Sequence, residues 1–292
     1  MSIAPGRQPA FSFKELYFDF IQSRRSKGVS PHTIHYHEYT SKRFAEWCEK
    51  RGIQPAYLER RNVRAYQNEL KVNRLAPHTI HGHFRAVRTM MRYAQKEFGI
   101  QLVDFEGLAP ILTKPILGVV RPEAFRKALG AAETLRDRVL LTVLYESGIR
   151  RAEAISLDWG DLDFSDSIVE VTIREGKGGK DRTTFIGSKD LLLEYRETIS
   201  HTDNSPVFVS LTNGKRLTSS GIGQALERIS KRAGVKIRAH DLRRGFAVRN
   251  RAMGVFDLKE LLGHEDITTT QDYVQSCKED LKKSYRDSFM KV

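Results

Sequence analysis

Residues 240–273 read HDLRRGFAVRNRAMGVFDLKELLGHEDITTTQDY, and the interpretation of the whole chain starts from this stretch. It concentrates side chains that hold anions or act as nucleophiles, namely His240, Arg243, Arg244, His264 and Tyr273. His240 and Arg243 are three residues apart, so they share one face of a helix. Gly263 is typical of the end of a short helix and directly precedes His264. The pattern predicts a patch in which arginines hold an anion beside a phenol.

The composition indicates a polyanionic partner. The 292 residues include 49 Lys and Arg against 36 Asp and Glu, which gives a net charge of +13 and a pI of about 9.7. Residues 1–105 hold 18 basic and 9 acidic residues, whereas residues 106–292 hold 31 and 27. This excess is typical of nucleic-acid binding. Two isolated cysteines form neither a zinc pattern nor a disulfide framework, and no apolar run reaches membrane-spanning length. We therefore expect a cytoplasmic protein that does not enter membranes.

Residues 11–105 are predicted to form a helical bundle. The fourth of its helices is the clearest, since Pro77 opens it and Gly99 ends it. Basic side chains step by four, three and four residues along one of its faces: His81, Arg85, Arg88 and Arg92. No acidic residue occurs between Glu69 and Glu97. Contact with a phosphate backbone and a merely solvated face both remain open for this basic stripe.

Six of the nine histidines lie in two similar helix starts, PHTIHYH at residues 31–37 and PHTIHGH at residues 77–83. The helical period puts the histidines of each trio on different faces, and no cysteine or acidic residue completes a ligand set. We therefore expect no metal site here. The similarity of the two segments is compatible both with two similar helix starts in one bundle and with a true internal duplication.

Residues 106–118 are predicted to be an interdomain linker, and residues 119–292 a mostly α-helical domain with a small antiparallel sheet. The alternation in Ile168–Ile173 and the apolar residues of Thr183–Ile186 predict a β-hairpin. Its glycine-bearing turn places two lysines at the tip, Lys177 and Lys180. A short strand at Pro206–Val209 and a C-terminal helix over Ser276–Val292 are also expected.

Four separated motifs resemble those of the tyrosine recombinases, the family of lambda integrase and the Xer proteins. They are SGIRRAE at 147–153, GKGGKDR at 176–182, HDLRRGFA at 240–247 and LGHEDITTTQDY at 262–273. Each motif alone has a plainer explanation, such as a helix cap, a solvated turn lysine, a buried histidine or a packing tyrosine. Their common order and spacing make the resemblance specific.

The resemblance implies a helical core-binding domain over 11–105 and a catalytic domain with a C-terminal tail helix over 119–292. It also implies a catalytic set: Arg150, Lys177, His240, Arg243, His264 and Tyr273. Guanidiniums suit this chemistry because they stay charged and bind phosphate oxygens through two parallel hydrogen bonds. A tyrosine needs a nearby proton acceptor to act as a nucleophile. The implied covalent 3′-phosphotyrosine conserves bond energy, so neither ATP, a metal nor another cofactor is expected.

The implied partners are double-stranded DNA, further copies of the chain in a tetramer assembled on DNA, and a partner or accessory recombinase. Lys180 is the alternative to Lys177 as the catalytic lysine of the hairpin. Arg244 stands at a position where many relatives have a histidine. Both are expected to contact DNA together with the basic stripe, while the orientation of Arg244 stays open. Glu153 is expected to be the structural partner of an arginine.

The resemblance implies site-specific recombination through a Holliday junction, by a nucleoid-associated enzyme. Two alternatives remain open: relaxation of DNA in the manner of a type IB topoisomerase, and an inactive relative with an architectural role on DNA. The sequence does not distinguish integration, excision, transposition and dimer resolution.

Overall fold

The computed structural model of the chain describes residues 11–112, 118–174, 181–199 and 201–263. The chain divides into two compact units, Met1–Pro115 and Ile116–Val292. The expected fold class, mainly helical with a small antiparallel sheet, is confirmed. The limits 11–105, 106–118 and 119–292 of the domains stay predictions. Four site residues and the C-terminal tail lie outside the described residues: Lys177, Lys180, His264, Tyr273 and 276–292.

The described part of the first unit is a helical bundle. Its helices are α1 (Phe13–Ser26), α2 (Pro31–Glu49), α3 (Arg60–Val72) and α4 (Pro77–Phe98), with a 3₁₀ turn at Pro55–Tyr57. Local chemistry explains where they begin. The Ser12 hydroxyl accepts from the Glu15 N–H while the Glu15 carboxylate accepts from the Ser12 N–H, a reciprocal cap of α1. Ser30 caps α2 just before Pro31.

The core of this unit contains two histidines of the repeated helix starts. His83 is 0% exposed, and its Nδ1 lies 2.9 Å from the Tyr66 hydroxyl. His37 is 6% exposed. Burial, reinforced by the nearby positive charges of Arg43 at His83 and Arg24 at His37, lowers the pKa of each imidazole to about 4. Both histidines are therefore neutral core residues at pH 7.

The second unit is mostly helical. Its described helices are α5 (Pro122–Ala131), α6 (Leu135–Glu146), α7 (Arg151–Ser156), α8 (Lys189–Glu197), α9 (Ser219–Ala233), α10 (Ala239–Arg249) and α11 (Val255–Leu262). Short 3₁₀ turns occur at Trp159–Asp161 and Arg251–Met253. No described helix in either unit is long and apolar enough to cross a bilayer.

A small antiparallel sheet with strand order β1-β2-β3 packs in this unit: β1 (Leu162–Asp163), β2 (Val169–Ile173) and β3 (Arg182–Ile186). The predicted hairpin is confirmed as β2 and β3, with Ile173 opposite Arg182 at the end where the chain passes from one strand to the other. The two-residue strand β1 was not predicted. The strand expected at Pro206–Val209 is wrong, because the segment makes only isolated bridges, Pro206 to Asp158 and Val209 to Arg216.

An apolar cluster fixes α11 against α10. Phe246 and Ala247 of α10 pack with Leu258 and Leu262 of α11, and all four are buried. The cluster also contacts the junction between α6 and α7, since a Cβ on Gly148 would lie 2.6 Å from the Phe246 ring. Gly148 has a φ of +64°, which a glycine adopts without strain. The α6–α7 junction, α10 and α11 therefore meet at Phe246.

Candidate active site

The C-terminal end of α11 is surrounded by three arginines from three other parts of the unit. Each donates to one of three consecutive backbone carbonyls: Arg182 Nε to Leu261 at 3.1 Å, Arg243 Nη2 to Leu262 at 2.6 Å, and Arg150 Nη2 to Gly263 at 2.8 Å. The last carbonyls of a helix lack partners within the helix and carry partial negative charge. The three guanidiniums supply hydrogen-bond donors to these carbonyls. Because the carbonyls are consecutive, the guanidiniums are brought together.

Arg150 is positioned by the break between α6 and α7. Gly148 ends the first helix in the left-handed conformation, and Arg150 is the N-cap residue of the next. Its backbone N–H donates to Glu153 Oε2 at 2.6 Å, and its Nη1 donates to Glu153 Oε1 at 2.7 Å. One carboxylate thus fixes both the backbone and the side chain of Arg150.

Arg243 is one of the most deeply buried side chains of the unit, with 2% of its surface exposed. Its Nη1 donates to the Gly148 carbonyl at 2.7 Å, in addition to the bond from Nη2 to Leu262. A buried charge requires such partners, because leaving them unmade would cost several kcal/mol. Arg243 therefore joins the α6–α7 junction to the end of α11.

Glu153 lies between Arg150 and Arg182 and pairs with both. Arg182 Nη1 donates to Oε1 at 3.0 Å and Nη2 donates to Oε2 at 2.7 Å. Burial raises the pKa of the Glu153 carboxyl, but the hydrogen bonds from Arg182 and Arg150 outweigh burial and lower it to about 2. The carboxylate is ionised at any working pH. The expectation that Glu153 partners an arginine is confirmed, and a role as a base is disfavoured.

His240 lies on α10 one turn before Arg243 and keeps part of its ring exposed. Partial burial, then the positive charges of Arg244 and Arg243, and finally that of Arg150, lower the pKa of the His240 imidazole, although Asp241 opposes them. An imidazole surrounded by guanidiniums stays neutral, so one ring nitrogen can accept a proton.

Arg244 points to a different environment. Its Nη1 lies 3.1 Å from Asp241 Oδ1 and 3.4 Å from the Gly118 carbonyl. Only 11% of its side chain is exposed. Asp241 also accepts from Arg238 Nε at 2.8 Å. The orientation left open by the sequence is therefore toward the first described residues of the second unit, and DNA contact by Arg244 stays a prediction.

The basic stripe lies on the outer face of α4 in the first unit. Arg85, Arg88 and Arg92 are exposed and His81 is partly buried, whereas the apolar stripe of the same helix faces the core. Within the described residues, none of these three arginines forms a salt bridge. They therefore form an open cationic surface about three turns long.

The structure brings Arg150, His240 and Arg243 into one neighbourhood. Lys177 and Lys180 come between β2 and β3 in the sequence, and His264 directly follows Gly263, but these residues and Tyr273 lie outside the described ranges. Arg182 was missed by the sequence analysis, although it is the last residue of the GKGGKDR motif. Over the described part of the chain, no three histidine, cysteine or acidic side chains form a metal-binding group.

The arrangement suits a phosphodiester. Two fixed guanidiniums can stabilise the charge that builds on non-bridging oxygens during attack, and a neutral imidazole nearby can take a proton. Preorganised donors of this kind are commonly worth about 3–4 kcal/mol each in a transition state.

Comparison with known proteins agrees with this chemistry. Residues 119–280 match the model of the phage integrase family, and residues 16–99 match the phage integrase N-terminal SAM-like domain. Tyrosine recombinase XerC of Oceanobacillus iheyensis is 30% identical over 295 residues, which cover 94% of this chain and 96% of that protein.

Solved structures share the fold. The XerH site-specific recombinase bound to palindromic difH substrate, a post-cleavage complex, matches with a TM-score of 0.71 at 20% identity over 94% of this chain and 84% of that one. A lambda integrase dimer bound to a COC' core site matches with a TM-score of 0.72 at 16% identity over 90% and 77%.

The fold is that of recombinases and integrases of known structure. The chain belongs to the phage integrase family, the tyrosine recombinases, since the family model covers more than half of its length. The suspected resemblance is thereby confirmed.

Proposed function

We propose that this protein is a site-specific DNA recombinase that cleaves and rejoins DNA strands through a covalent 3′-phosphotyrosine intermediate. It exchanges one pair of strands and then the other, through a Holliday junction. The observation that carries the proposal is the convergence of Arg150 and Arg243 on the carbonyls directly before His264, with His240 beside them. Membership of a family of DNA breaking and rejoining enzymes supports it.

In the proposed reaction Arg150 and Arg243 bind the non-bridging oxygens of the scissile phosphate, and His264 donates a hydrogen bond to it. The Tyr273 oxygen attacks phosphorus, so that a phosphorus–oxygen bond to tyrosine forms and the bond to the 5′-oxygen breaks. His240 takes the phenol proton, and Lys177 gives a proton to the leaving 5′-oxygen. In the rejoining step, the 5′-hydroxyl of a partner strand attacks phosphorus, a new phosphodiester forms and the Tyr273 oxygen leaves. The number of phosphodiester bonds is conserved, and the proposal requires no cofactor.

Double-stranded DNA is the proposed partner. The first unit carries the larger charge excess, and Arg85, Arg88 and Arg92 present their guanidiniums outward on one face of α4. These side chains, with His81, Lys180 and Arg244, are the proposed DNA contacts. Exchange between two duplexes requires four protomers, so the active form is a tetramer assembled on DNA, alone or with a partner recombinase, at the nucleoid in the cytoplasm.

The test is recovery of DNA that becomes covalently attached to the protein in cells, followed by sequencing. A defined sequence should be recovered with the wild-type protein and not with Tyr273→Phe. A plasmid with two copies of that sequence should then give recombinant products. Relaxation without recombinants would favour the topoisomerase alternative, and absence of any nicking would favour an architectural role.

A further inference from the structure

We propose that Arg182 is a positioning residue for the phosphate site: it holds Arg150 through Glu153 and holds the end of α11 through Leu261. The inference rests on the proposed function, since it concerns how the arginines are kept in place for phosphate. Arg182 is the first residue of β3 and follows the segment of the sequence that contains Lys177. It is not one of the six residues assigned to the reaction above.

Arg182 forms a two-bond pair with Glu153. Its Nη1 and Nη2 donate to the two carboxylate oxygens, at 3.0 Å and 2.7 Å, and the two side chains are 8% and 9% exposed. Two parallel bonds fix the plane of the carboxylate as well as its position, which a single bond cannot do. Glu153 is therefore held in one orientation by Arg182.

That orientation is the one that serves Arg150. The same Oε1 accepts from Arg150 Nη1 at 2.7 Å, and the same Oε2 accepts from the Arg150 backbone N–H at 2.6 Å. Each carboxylate oxygen is thus shared between the two arginines. Any rotation of Glu153 would displace the guanidinium of Arg150, which is 27% exposed and open to a ligand.

Arg182 also contacts α11. Its Nε donates to the Leu261 carbonyl at 3.1 Å, and a Cβ on Gly263 would lie 2.8 Å from Arg182 Cδ. Arg182 therefore packs against the same backbone segment whose next two carbonyls bind Arg243 and Arg150. The Arg182 side chain therefore fixes both the Glu153 carboxylate that pairs with Arg150 and the carbonyl segment to which Arg150 donates.

Arg182 is distinguished from a phosphate ligand by its own contacts. Nε, Nη1 and Nη2 all donate to protein oxygens, and both Nη atoms are committed to the carboxylate of Glu153. Its effect on the reaction must therefore pass through Arg150 and the end of α11. Arg182→Lys keeps the charge but cannot donate to Glu153 through two parallel bonds and to Leu261 at once.

The experiment compares single-turnover strand cleavage on duplexes that carry the DNA sequence recovered from the covalent adducts. One duplex has the normal phosphodiester, and the other has a methylphosphonate at the scissile position. Because a methyl group replaces a charged oxygen, the second substrate depends less on the guanidinium of Arg150. Arg182→Lys should slow cleavage of the phosphodiester about 10- to 100-fold, as misplaced catalytic groups do, and that of the methylphosphonate by less than about threefold.

Arg136→Lys is the matched control. Arg136 is also a buried arginine, 5% exposed, that pairs with a neighbouring carboxylate, Asp137, and donates to a backbone carbonyl, that of Val209 at 3.2 Å. Arg136→Lys therefore disrupts a buried arginine–carboxylate pair, as Arg182→Lys does, but at a position without contact to the candidate site. It should lower the amount of folded protein and slow both substrates by the same factor.

Three results would overturn the proposal: no slowing of Arg182→Lys, equal slowing on both substrates, or rescue by a substrate with sulfur at the 5′-bridging position. The last substrate has a leaving group that needs no proton, so its rescue would mean that Arg182 acts on Lys177 instead. Failure of the wild-type protein to cleave the phosphodiester would contradict the proposed function itself, which separates the two outcomes.

Discussion

Arg243 and Arg150 donate to neighbouring backbone carbonyls, those of Leu262 at 2.6 Å and Gly263 at 2.8 Å. The two residues are far apart in the sequence, yet the end of one short helix fixes both. The site is therefore organised by backbone carbonyls that a helix leaves unpaired. This relationship makes Gly263 a sensitive position.

Gly263→Ala should destabilise the protein more than the same substitution at an ordinary helix-capping glycine does. Gly263 has a φ of +61°, and an added Cβ would meet Arg182 at 2.8 Å. We expect a loss of about 2–4 kcal/mol, from the backbone and from overpacking, together with slower strand cleavage. Gly234→Ala is the control, because Gly234 has a φ of +64° with open space around it. Urea unfolding measures both losses, and equal losses would contradict the close contact with Arg182.

Strand cleavage should depend on the neutral form of His240. Its pKa is lowered from 6.5 by partial burial and by Arg244 and Arg243. The rate should therefore be at its plateau at pH 7 and fall as the pH drops through the lowered pKa, below 6.5. His240→Gln should lower the plateau and remove this acidic limb. A wild-type limb centred above 6.5, measured under single-turnover conditions, would be inconsistent with the electrostatics of the site.

Binding of DNA by the basic stripe can be measured through its salt dependence. Arg88→Ala should weaken binding and reduce the slope of log K against log salt by about one unit, since one phosphate contact is lost. Arg61→Ala is the control, because Arg61 is an exposed arginine of α3 that pairs with Glu59. An unchanged slope for Arg88→Ala would remove this residue from the phosphate contacts.

The first unit should lose stability in mild acid. His83 is buried with a pKa of about 4, below its value of 6.5 in the unfolded chain, so the unfolded state binds more protons as the pH falls through 6.5. Between pH 7 and pH 5 this linkage removes about 2 kcal/mol for such a histidine.

His83→Gln should remove the His83 share of this pH dependence and leave that of His37, whereas His32→Gln, at an exposed position of the other helix start (residues 31–37), should leave it unchanged. Urea unfolding at the two pH values provides the measurement. The same slope in wild type and His83→Gln would show that His83 does not titrate on unfolding.

Much of the fold follows from periodic signals in the sequence. Pro31, Pro77 and Pro122 begin helices as expected, and the alternation before and after the glycine-bearing turn predicts the hairpin. Such signals act over a few residues and therefore appear in the sequence itself. The order and spacing of the four motifs likewise predict Arg150, His240 and Arg243 as site residues.

The remaining features depend on contacts between distant segments. Arg182 reaches the Leu261 carbonyl, 79 residues along the chain, and its place at the end of the GKGGKDR motif does not indicate this contact. The two-residue strand β1 is too short to alternate. Arg244 lies beside Gly118 because Gly245 allows the backbone at Val120 to approach α10, where a Cβ would lie 2.4 Å from the Val120 oxygen.

The covalent step can be measured on a duplex that carries the recovered sequence and a nick close to the cleavage site. Cleavage of this duplex releases the short fragment that bears the new 5′-hydroxyl. Wild-type protein should accumulate a protein–DNA adduct that survives denaturation. Tyr273→Phe should bind the same duplex with an unchanged Kd and form no adduct, because phenylalanine has no oxygen to attack phosphorus. An undiminished adduct with Tyr273→Phe would contradict the assignment of Tyr273 as the nucleophile.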